Sequence, residues 1–329
     1  MDVDLSIVIA TMNNEQTLGK CLKSIYAHGL GLSMEIFVSD NSSGDSTARM
    51  IRADFPAVKL LENGGNLGFA RANNKAIRLA QGRYVLLLND DTVILDNAIS
   101  KMVRFMDENP TCGVGSCKLV YPDGRLQSSK FGYPSLFKEF FHANDWLKPL
   151  RKTKIISGLG AWLAGYSSAF ECFSSSDQVK EVDDVLGAFF MIRKELIDEI
   201  GLLDENYWMC REESDFSYRA KKAGYKVFYN PRQTVIHIGS YTVHRTRVKK
   251  VRNYCQNFIS ANYFYQKHYS VPRQLLLKLI ILQAFSLKLI ITGLAYLFHT
   301  SIRGELKRNM VQYIDAMRKI KVNSTERAL

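Results

Sequence analysis

Two acidic constellations stand out in the 329-residue chain. Asn89-Asp90-Asp91 follows the apolar run Tyr84 to Leu88, so its carboxylates stand at the end of a buried strand and point into a cleft. Oxygen ligands of this kind suit Mg²⁺ or Mn²⁺, which is typically held by one or two carboxylates plus substrate phosphates. A strand-end Asp on its own serves equally well as a helix cap. Further on, Trp208-Met209-Cys210-Arg211-Glu212-Glu213-Ser214-Asp215 packs three acidic residues into four positions beside aromatics. Like charges this close raise one another's pKa when buried, and a raised carboxylate is what a general base needs near neutral pH. The same cluster would also complement the dipole of a helix over 213–222 as its acidic first turn. His237 ends a β-branched run. Near a strand-end Asp it would serve as a metal ligand; otherwise a single His is structural.

These residues need a scaffold, and the hydropathy pattern supplies one. Leu5 to Ala10, Glu35 to Ser39, Val58 to Leu61 and Tyr84 to Leu88 read as strands, with helices between them ending near His28, Asp54 and Ala80. Strand and helix alternating at this spacing predict βαβ units and a mostly parallel sheet buried on both faces. Thr11, Asn13, Asp40 and Asn89 to Asp91 then fall together just past the carboxyl ends of the strands. Ligands bind at that edge in open α/β sheets, so the cluster points to a nucleotide-like ligand, although each residue alone could be a cap or an Asx-turn. Further strands are expected over Val114–Val120, Val185–Ile192, Tyr225–Tyr229 and Val235–Ile238, with a helix over Lys194–Ile200. Segment 142–180 has no clean period and reads as loops and short helices, and the chain from Arg247 onward reads as helical. No G-x-x-x-x-G-K-[ST] loop occurs, and Gly158-Leu159-Gly160 lacks the spacing of a dinucleotide fingerprint.

Four stretches, in order, resemble the family 2 glycosyltransferases of GT-A fold, and within them the rhamnosyltransferase-like subgroup. They are Ser6 to Ile9 with Asn13; Phe37 to Ser43; Gly65-Asn66-Leu67-Gly68-Phe69-Ala70-Arg71-Ala72-Asn73-Asn74 through Asp91; and Gly187 to Arg193 through Gly201-Leu202-Leu203-Asp204-Glu205 to Asp215 and His237. The resemblance implies a GT-A sheet flanked by helices with a helical, partly apolar C-terminal extension. Residues 1–110 would be its nucleotide-sugar half, 111–246 its acceptor and catalytic half, and 247–329 a basic membrane-association region. By the same resemblance Asp40 binds a pyrimidine base. Thr11 and Asn13 line the nucleotide pocket, and Asn66 and Gly68 lie beside the diphosphate or sugar. Asn89, Asp90 and Asp91 match the D-x-D position, with Asp91 the ligand of Mg²⁺ or Mn²⁺ and His237 a second ligand. Glu212 and Glu213 match a Glu-Asp pair whose second member is the base, so Glu213 takes that role, with Asp215 as its rival. Trp208 and Tyr207 are candidates to stack on sugar rings of the acceptor, whereas Phe190 reads as core. The implied reaction is a single displacement, with inversion, from a dTDP-rhamnose or UDP-sugar type of donor to a glycan or lipid-linked acceptor in cell-surface polysaccharide synthesis.

Composition is compatible with this. Apolar residues at 47% and charged residues at 23% exclude wholesale disorder. Six Cys without a C-x-x-C pair indicate neither a zinc ribbon nor a disulfide scaffold, and read as reduced thiols of a cytosolic compartment. The opening Met1-Asp2-Val3-Asp4 is acidic where a secretory signal would be basic. Net charge is +12, yet residues 245–329 hold 16 Lys/Arg against 3 Asp/Glu while the first 244 hold 28 against 29. The basic excess therefore belongs to the C-terminal quarter. There it accompanies Leu275–Phe298, 24 residues of which 18 are apolar. Positive charge beside apolar surface predicts an anionic membrane partner at the cytoplasmic face. The stretch is read as an amphipathic helix lying in the interface with Lys278 and Lys288 snorkelling, and second as one C-terminal span. A nucleic-acid partner is disfavoured because the basic tail lacks exposed aromatic platforms. A sugar nucleotidyltransferase is disfavoured because Thr11-Met12-Asn13-Asn14-Glu15 is neither Gly-rich nor basic.

Overall fold

The computed structural model describes residues 3–28, 31–144, 178–239, 247–298 and 300–321. Segment 142–180, expected to hold loops and short helices, lies mostly outside them. The chain divides into two compact units.

The first unit comprises residues 1–133, 171–208 and 212–241. Its opening run alternates β1 (Leu5–Thr11), α1 (Glu15–His28), β2 (Met34–Asp40), α2 (Thr47–Asp54), β3 (Lys59–Glu62), α3 (Phe69–Ile77) and β4 (Tyr84–Leu88). Then come β5 (Thr92–Ile94), α4 (Ala98–Glu108), β6 (Cys112–Val120), β7 (Leu126–Gln127) and β8 (Lys130–Phe131). After an intervening helix of the second unit, α5 (Leu136–Ala143), follow β9 (Lys180–Val182), β10 (Asp184–Val185) and β11 (Phe189–Arg193). The unit closes with α6 (Lys194–Ile200), α7 (Glu212–Lys222) and β12 (Lys226–His237). Among the described residues one sheet runs in the order β3-β2-β1-β4-β11-β6-β12-β5, with β7 on β6 and β9 on β12. The pairs β3–β2, β2–β1, β1–β4 and β6–β12 are parallel, whereas β11 enters antiparallel to both β4 and β6.

The sheet is buried on both faces, as its continuous apolar strands require. Alternate residues of β1, β4 and β11 enter opposite cores. Ile7, Ile9, Leu86 and Met191 pack on one side with Leu22 of α1 and Met102 of α4. Val8, Val85, Leu87 and Ile192 pack on the other with Ala76 of α3, Leu196 of α6 and Phe216 of α7. Phe190 is fully buried on that second side, a core residue as expected.

Two expectations need correction. Val185 to Ile192 is not one strand. It splits into β10, which pairs with β8, and β11, which crosses to β4. Conversely, the two short strands expected over 225–238 are one strand, β12, which passes from β9 and β6 to β5 with its register on β6 shifted between Asn230 and Thr234. β6 and β12 hydrogen-bond into the same sheet as β1 and β4.

The second unit comprises residues 134–170, 209–211 and 242–329. Its long helices are α8 (Arg247–His268), α9 (Val271–Phe298) and α10 (Arg303–Lys321). Phe285 of α9 centres an aromatic cluster with Tyr254 and Phe258 of α8, each 5.7 Å between ring centroids, and with Tyr313 of α10 at 5.8 Å. α9 and α10 run antiparallel. Phe285 meets Tyr313, Ser286 meets Met317, and a side-chain carbon at Gly293 would touch Met310.

Candidate active site

The carboxyl ends of β1, β2 and β4 lie side by side because those strands are parallel, and Thr11 is directly opposite Asp40 in register. The loops leaving these ends are tied together by side-chain hydrogen bonds. Asp40 is buried and accepts from the Ser43 amide at 3.0 Å and from the Ser43 hydroxyl at 2.5 Å. Asn13, in the left-handed region at φ 56°, donates its amide to Ser43 Oγ and accepts from the Gly44 amide at 2.6 Å. Asn66 accepts from the Gly68 amide at 2.9 Å and donates to Met12 Sδ. Asn41 links the two loops, donating to the Gly68 carbonyl and accepting from the Leu67 amide, both at 3.3 Å. Thus Thr11, Asn13, Asp40, Asn66 and Gly68, far apart in sequence, rim one edge.

Gly68 is fixed by its surroundings. Its φ is +79° and its ψ −175°, a backbone region open essentially to glycine alone. A Cβ there would stand 2.4 Å from the Trp208 carbonyl oxygen, which accepts the Phe69 amide at 3.0 Å. The half-buried Trp208 thereby borders the Gly68 loop.

After β4, the three polar residues diverge. Asp90 is buried and accepts from Thr11 Oγ1 at 2.6 Å and Asn14 Nδ2 at 2.9 Å. Burial pushes its carboxyl up to about 6 against those two bonds. Asp90 and Thr11 therefore brace each other, with Asn14 as a further partner. Asp91 turns toward β12: its Oδ2 accepts the Gly239 amide at 3.1 Å and its Oδ1 lies 3.1 Å from His237 Nε2. Asn89 Nδ2 also contacts His237 Nε2, at 3.2 Å.

This arrangement fits a divalent cation. His237 Nδ1 is 2.7 Å from Gln127 Oε1, an acceptor, so Nδ1 donates to it. Nε2 is left facing Asn89 Nδ2 and Asp91. Nε2 and a carboxylate oxygen face each other at 3.1 Å, and an imidazole protonated on Nδ1 alone would turn its Nε2 lone pair to a cation bound between them. Adjacent ligands of an octahedral ion bound at 2.0–2.1 Å stand about 3 Å apart. Among the described residues no cluster of three or more His, Cys, Asp or Glu could hold a metal alone, so further ligands would come from a diphosphate and water.

The 212–215 cluster opens α7. Glu213, half-buried, lies over Gly187, where a Cβ would be 3.6 Å from Glu213 Oε1. The next carbonyl, that of Ala188, accepts the Asn89 amide at 3.1 Å. Glu213 therefore neighbours the strand end that carries Asp91. Its companions behave differently. Asp215 is fully buried and paired with Arg219 at 2.8 Å, and Arg219 also donates to the carbonyls of Ile200 and Leu202. A carboxylate committed to a guanidinium inside the core is out of reach of substrate, so the geometry corrects the expectation of Asp215 as rival base. Tyr207, 1% exposed with its hydroxyl 3.5 Å from Asp215 Oδ1, supports that pair and offers an acceptor no surface, a second correction. Glu212 is buried as well.

Three residues of the site were not singled out by the sequence: Asn14, Asn41 and Gln127. Gln127 lies on β7, opposite Leu119 of β6, just beyond the Pro122-Asp123-Gly124 turn. That turn was the available signal for a hairpin delivering a side chain to this edge.

A mostly parallel sheet with polar loops at its carboxyl edge, two candidate cation ligands and a nearby carboxylate make up the candidate site. Residues 6–162 match the family described as Glycosyl transferase family 2. Residues 6–162 thus resemble a family 2 glycosyltransferase domain, and the proteins similar to the chain include a rhamnosyltransferase. It is 23% identical over 231 residues to N-acetylglucosaminyl-diphospho-decaprenol L-rhamnosyltransferase of Mycobacterium tuberculosis, covering 64% of this chain and 69% of that protein. It is 24% identical over 225 residues to UDP-Glc:alpha-D-GlcNAc-diphosphoundecaprenol beta-1,3-glucosyltransferase WfgD of Escherichia coli, covering 57% of this chain and 87% of that one. The fold is shared with the mannosyltransferase PcManGT of Pyrobaculum calidifontis, solved with GDP-Man and Mn²⁺. The TM-score is 0.54 at 17% identity, covering 97% of this chain and 87% of that chain.

Proposed function

We propose that the chain transfers a sugar, with inversion, from a nucleotide donor of the dTDP-rhamnose or UDP-sugar type to a lipid-linked glycan acceptor in cell-surface polysaccharide synthesis. The observation that carries the reading is the approach of Glu213, over Gly187, to the strand end bearing Asn89 and Asp91. Asp40 would read the base, with Asn13 and Thr11 beside it. The loop of Asn66 and Gly68 would border the diphosphate or the sugar. Trp208 would offer its ring to the acceptor.

Asp91 and His237 would hold Mg²⁺ or Mn²⁺. Such an ion, when bound, supplies positive charge for a departing diphosphate. The chain's own residues do the rest. Glu213 takes the proton of an acceptor hydroxyl as that oxygen bonds to the anomeric carbon. The bond from that carbon to the diphosphate oxygen breaks on the opposite face. Gln127 keeps the proton on His237 Nδ1. Asp90, Thr11 and Asn14 hold the Asn89–Asp91 turn in place.

An acceptor carried on a lipid diphosphate stays near the headgroups, so the enzyme would work at the cytoplasmic face of a membrane. The experiment is a panel of UDP-, GDP- and dTDP-sugars, scored for nucleoside diphosphate release with Mn²⁺ and then with EDTA. Release from one donor, lost in EDTA and in Glu213→Gln, supports the reading. Equal release in EDTA removes the cation role, and release unchanged in Glu213→Gln removes the base.

A further inference from the structure

The second unit presents a face that the catalytic reading does not use. α9 is long and apolar enough to cross a membrane, yet it is not apolar in a uniform way. Leu277, Ile281, Ala284 and Phe285 are buried against the rest of the unit. At about 100° per residue these fall within one sector of the helix. Leu275, Leu276, Leu279, Ile290, Leu294 and Leu297 fall on the opposite side, each at least half exposed. Between them along that side, the exposed positions are Gln283 and Ser286, which carry no charge. Lys278 and Lys288 are half-buried on the packed half, where Lys288 Nζ lies 4.8 Å from the centre of the Tyr254 ring. The expectation that these two lysines snorkel outward is therefore corrected.

The packed side bears on whether α9 can cross a bilayer. α10 runs antiparallel along the flank between the packed side and the stripe, with Phe285 meeting Tyr313, Ser286 meeting Met317 and Gly293 lying by Met310. α10 exposes Lys307, Arg308, Asp315, Arg318 and Lys319. A crossing α9 would take these charges into hydrocarbon or tear away from Phe285's aromatic cluster. The ends of the stripe are cationic: Arg273 is exposed at the start of α9, and Arg303, exposed, donates to the Tyr296 and Leu297 carbonyls at its end. Pairing two such stripes would bring cation against cation at one end or both. An anionic headgroup layer instead complements both ends while the stripe enters the acyl boundary.

We propose that α9 lies in the plane of an anionic bilayer surface, outward stripe immersed and lysine-bearing side turned to the protein, and does not cross it. This deepens the membrane contact proposed above but needs no sugar chemistry, so the two readings fail separately. Vesicle binding is measured without donor or acceptor, and donor turnover without vesicles.

The test uses the full chain with phosphatidylcholine vesicles, with and without phosphatidylglycerol. Binding should be about tenfold or more tighter with the anionic lipid. Carbonate should release the chain. In the double variant Leu276→Glu/Leu294→Glu, both sites being exposed, vesicle affinity should fall about tenfold or more while the thermal unfolding curve is unchanged. Tryptophan placed by Leu275→Trp, Gln283→Trp or Ile290→Trp should report one shallow depth by brominated-lipid quenching, each read against the parent chain. Resistance to carbonate with the Gln283→Trp position deepest would mean a span and overturn the proposal. So would vesicle binding indifferent to the double variant, or a stable dimer in vesicle-free buffer that the same variant dissociates.

Discussion

Glu213 rests over Gly187: a Cβ on Gly187 would come within 3.6 Å of Glu213 Oε1, and the carbonyl of the following residue accepts the Asn89 amide. A carboxylate so placed can reach an acceptor bound beside the strand end. Glu213→Gln should lower kcat by roughly 10²–10⁴ with donor affinity nearly intact. Calorimetric titration with nucleoside diphosphate, beside turnover, separates these. A Gln variant with parental turnover would make Glu213 a helix-end residue only.

Asp215 should behave as a stability residue. Removing one member of a buried ion pair leaves the other charge uncompensated, at about 3–5 kcal/mol. Asp215→Asn should thus unfold at clearly lower denaturant, and the protein that remains folded should keep most of its kcat. Loss of kcat at unchanged stability would return Asp215 to the list of candidate bases.

Gln127 should tune the cation through His237. Loss of the partner that orients a ligating imidazole typically weakens metal affinity about 10–100-fold. Gln127→Leu is expected to raise the Mn²⁺ concentration needed for half-maximal turnover by that factor, with kcat at saturating Mn²⁺ little changed. A fall in saturated kcat with no shift in the Mn²⁺ curve would contradict it.

Gly68→Ala should destabilise the loop by about 1–3 kcal/mol, since it combines a glycine-only backbone with a clash against the Trp208 carbonyl. Donor binding should weaken with it. Unaltered melting and binding would show that the loop can shift freely.

Acid should loosen the same region from its other side. Hydrogen bonds from Asn74 and then Arg78 hold the Glu205 carboxyl below the usual carboxylate range. A depressed pKa contributes stability above the unfolded value, and that contribution is lost as pH falls through the folded one. Stability should therefore decline in acid below the ordinary Glu range, and Glu205→Gln should flatten part of that decline. Equal acid slopes in the two proteins, measured by denaturant unfolding, would count against it.

How much of this could be read from sequence depended on where the information resides. Tyr84–Leu88 and Lys194–Ile200 were expected at their observed bounds, because a strand buried on both faces and a short helix after a strand write their pattern locally. The break at Leu186–Ala188 was not, since it reflects a change of partner from β8 to β4 and a period of two does not name partners. The edge cluster of Thr11, Asp40 and Asn89–Asp91 was legible because parallel strands align their carboxyl ends. Asp215 with Arg219 was also legible in principle, as an i,i+4 pair on a helix. Gln127 was not, because its contact with His237 depends on two strands meeting across the fold.

The register shift in β12 has a consequence for inheritance at this site. Val227 and Val235 are eight positions apart and would share a face on a regular strand. They enter opposite cores instead, because the stretch between Asn230 and Thr234 turns the ribbon over. His237 follows Val235 by two, so it faces Asp91 only by virtue of that inversion. Straightening the stretch would hide the imidazole on the wrong side with every amino acid of the motif still in place. The three residues Pro231, Arg232 and Gln233 thus act as a parity bit: a change in their number, more than in their chemistry, decides whether His237 can face Asp91.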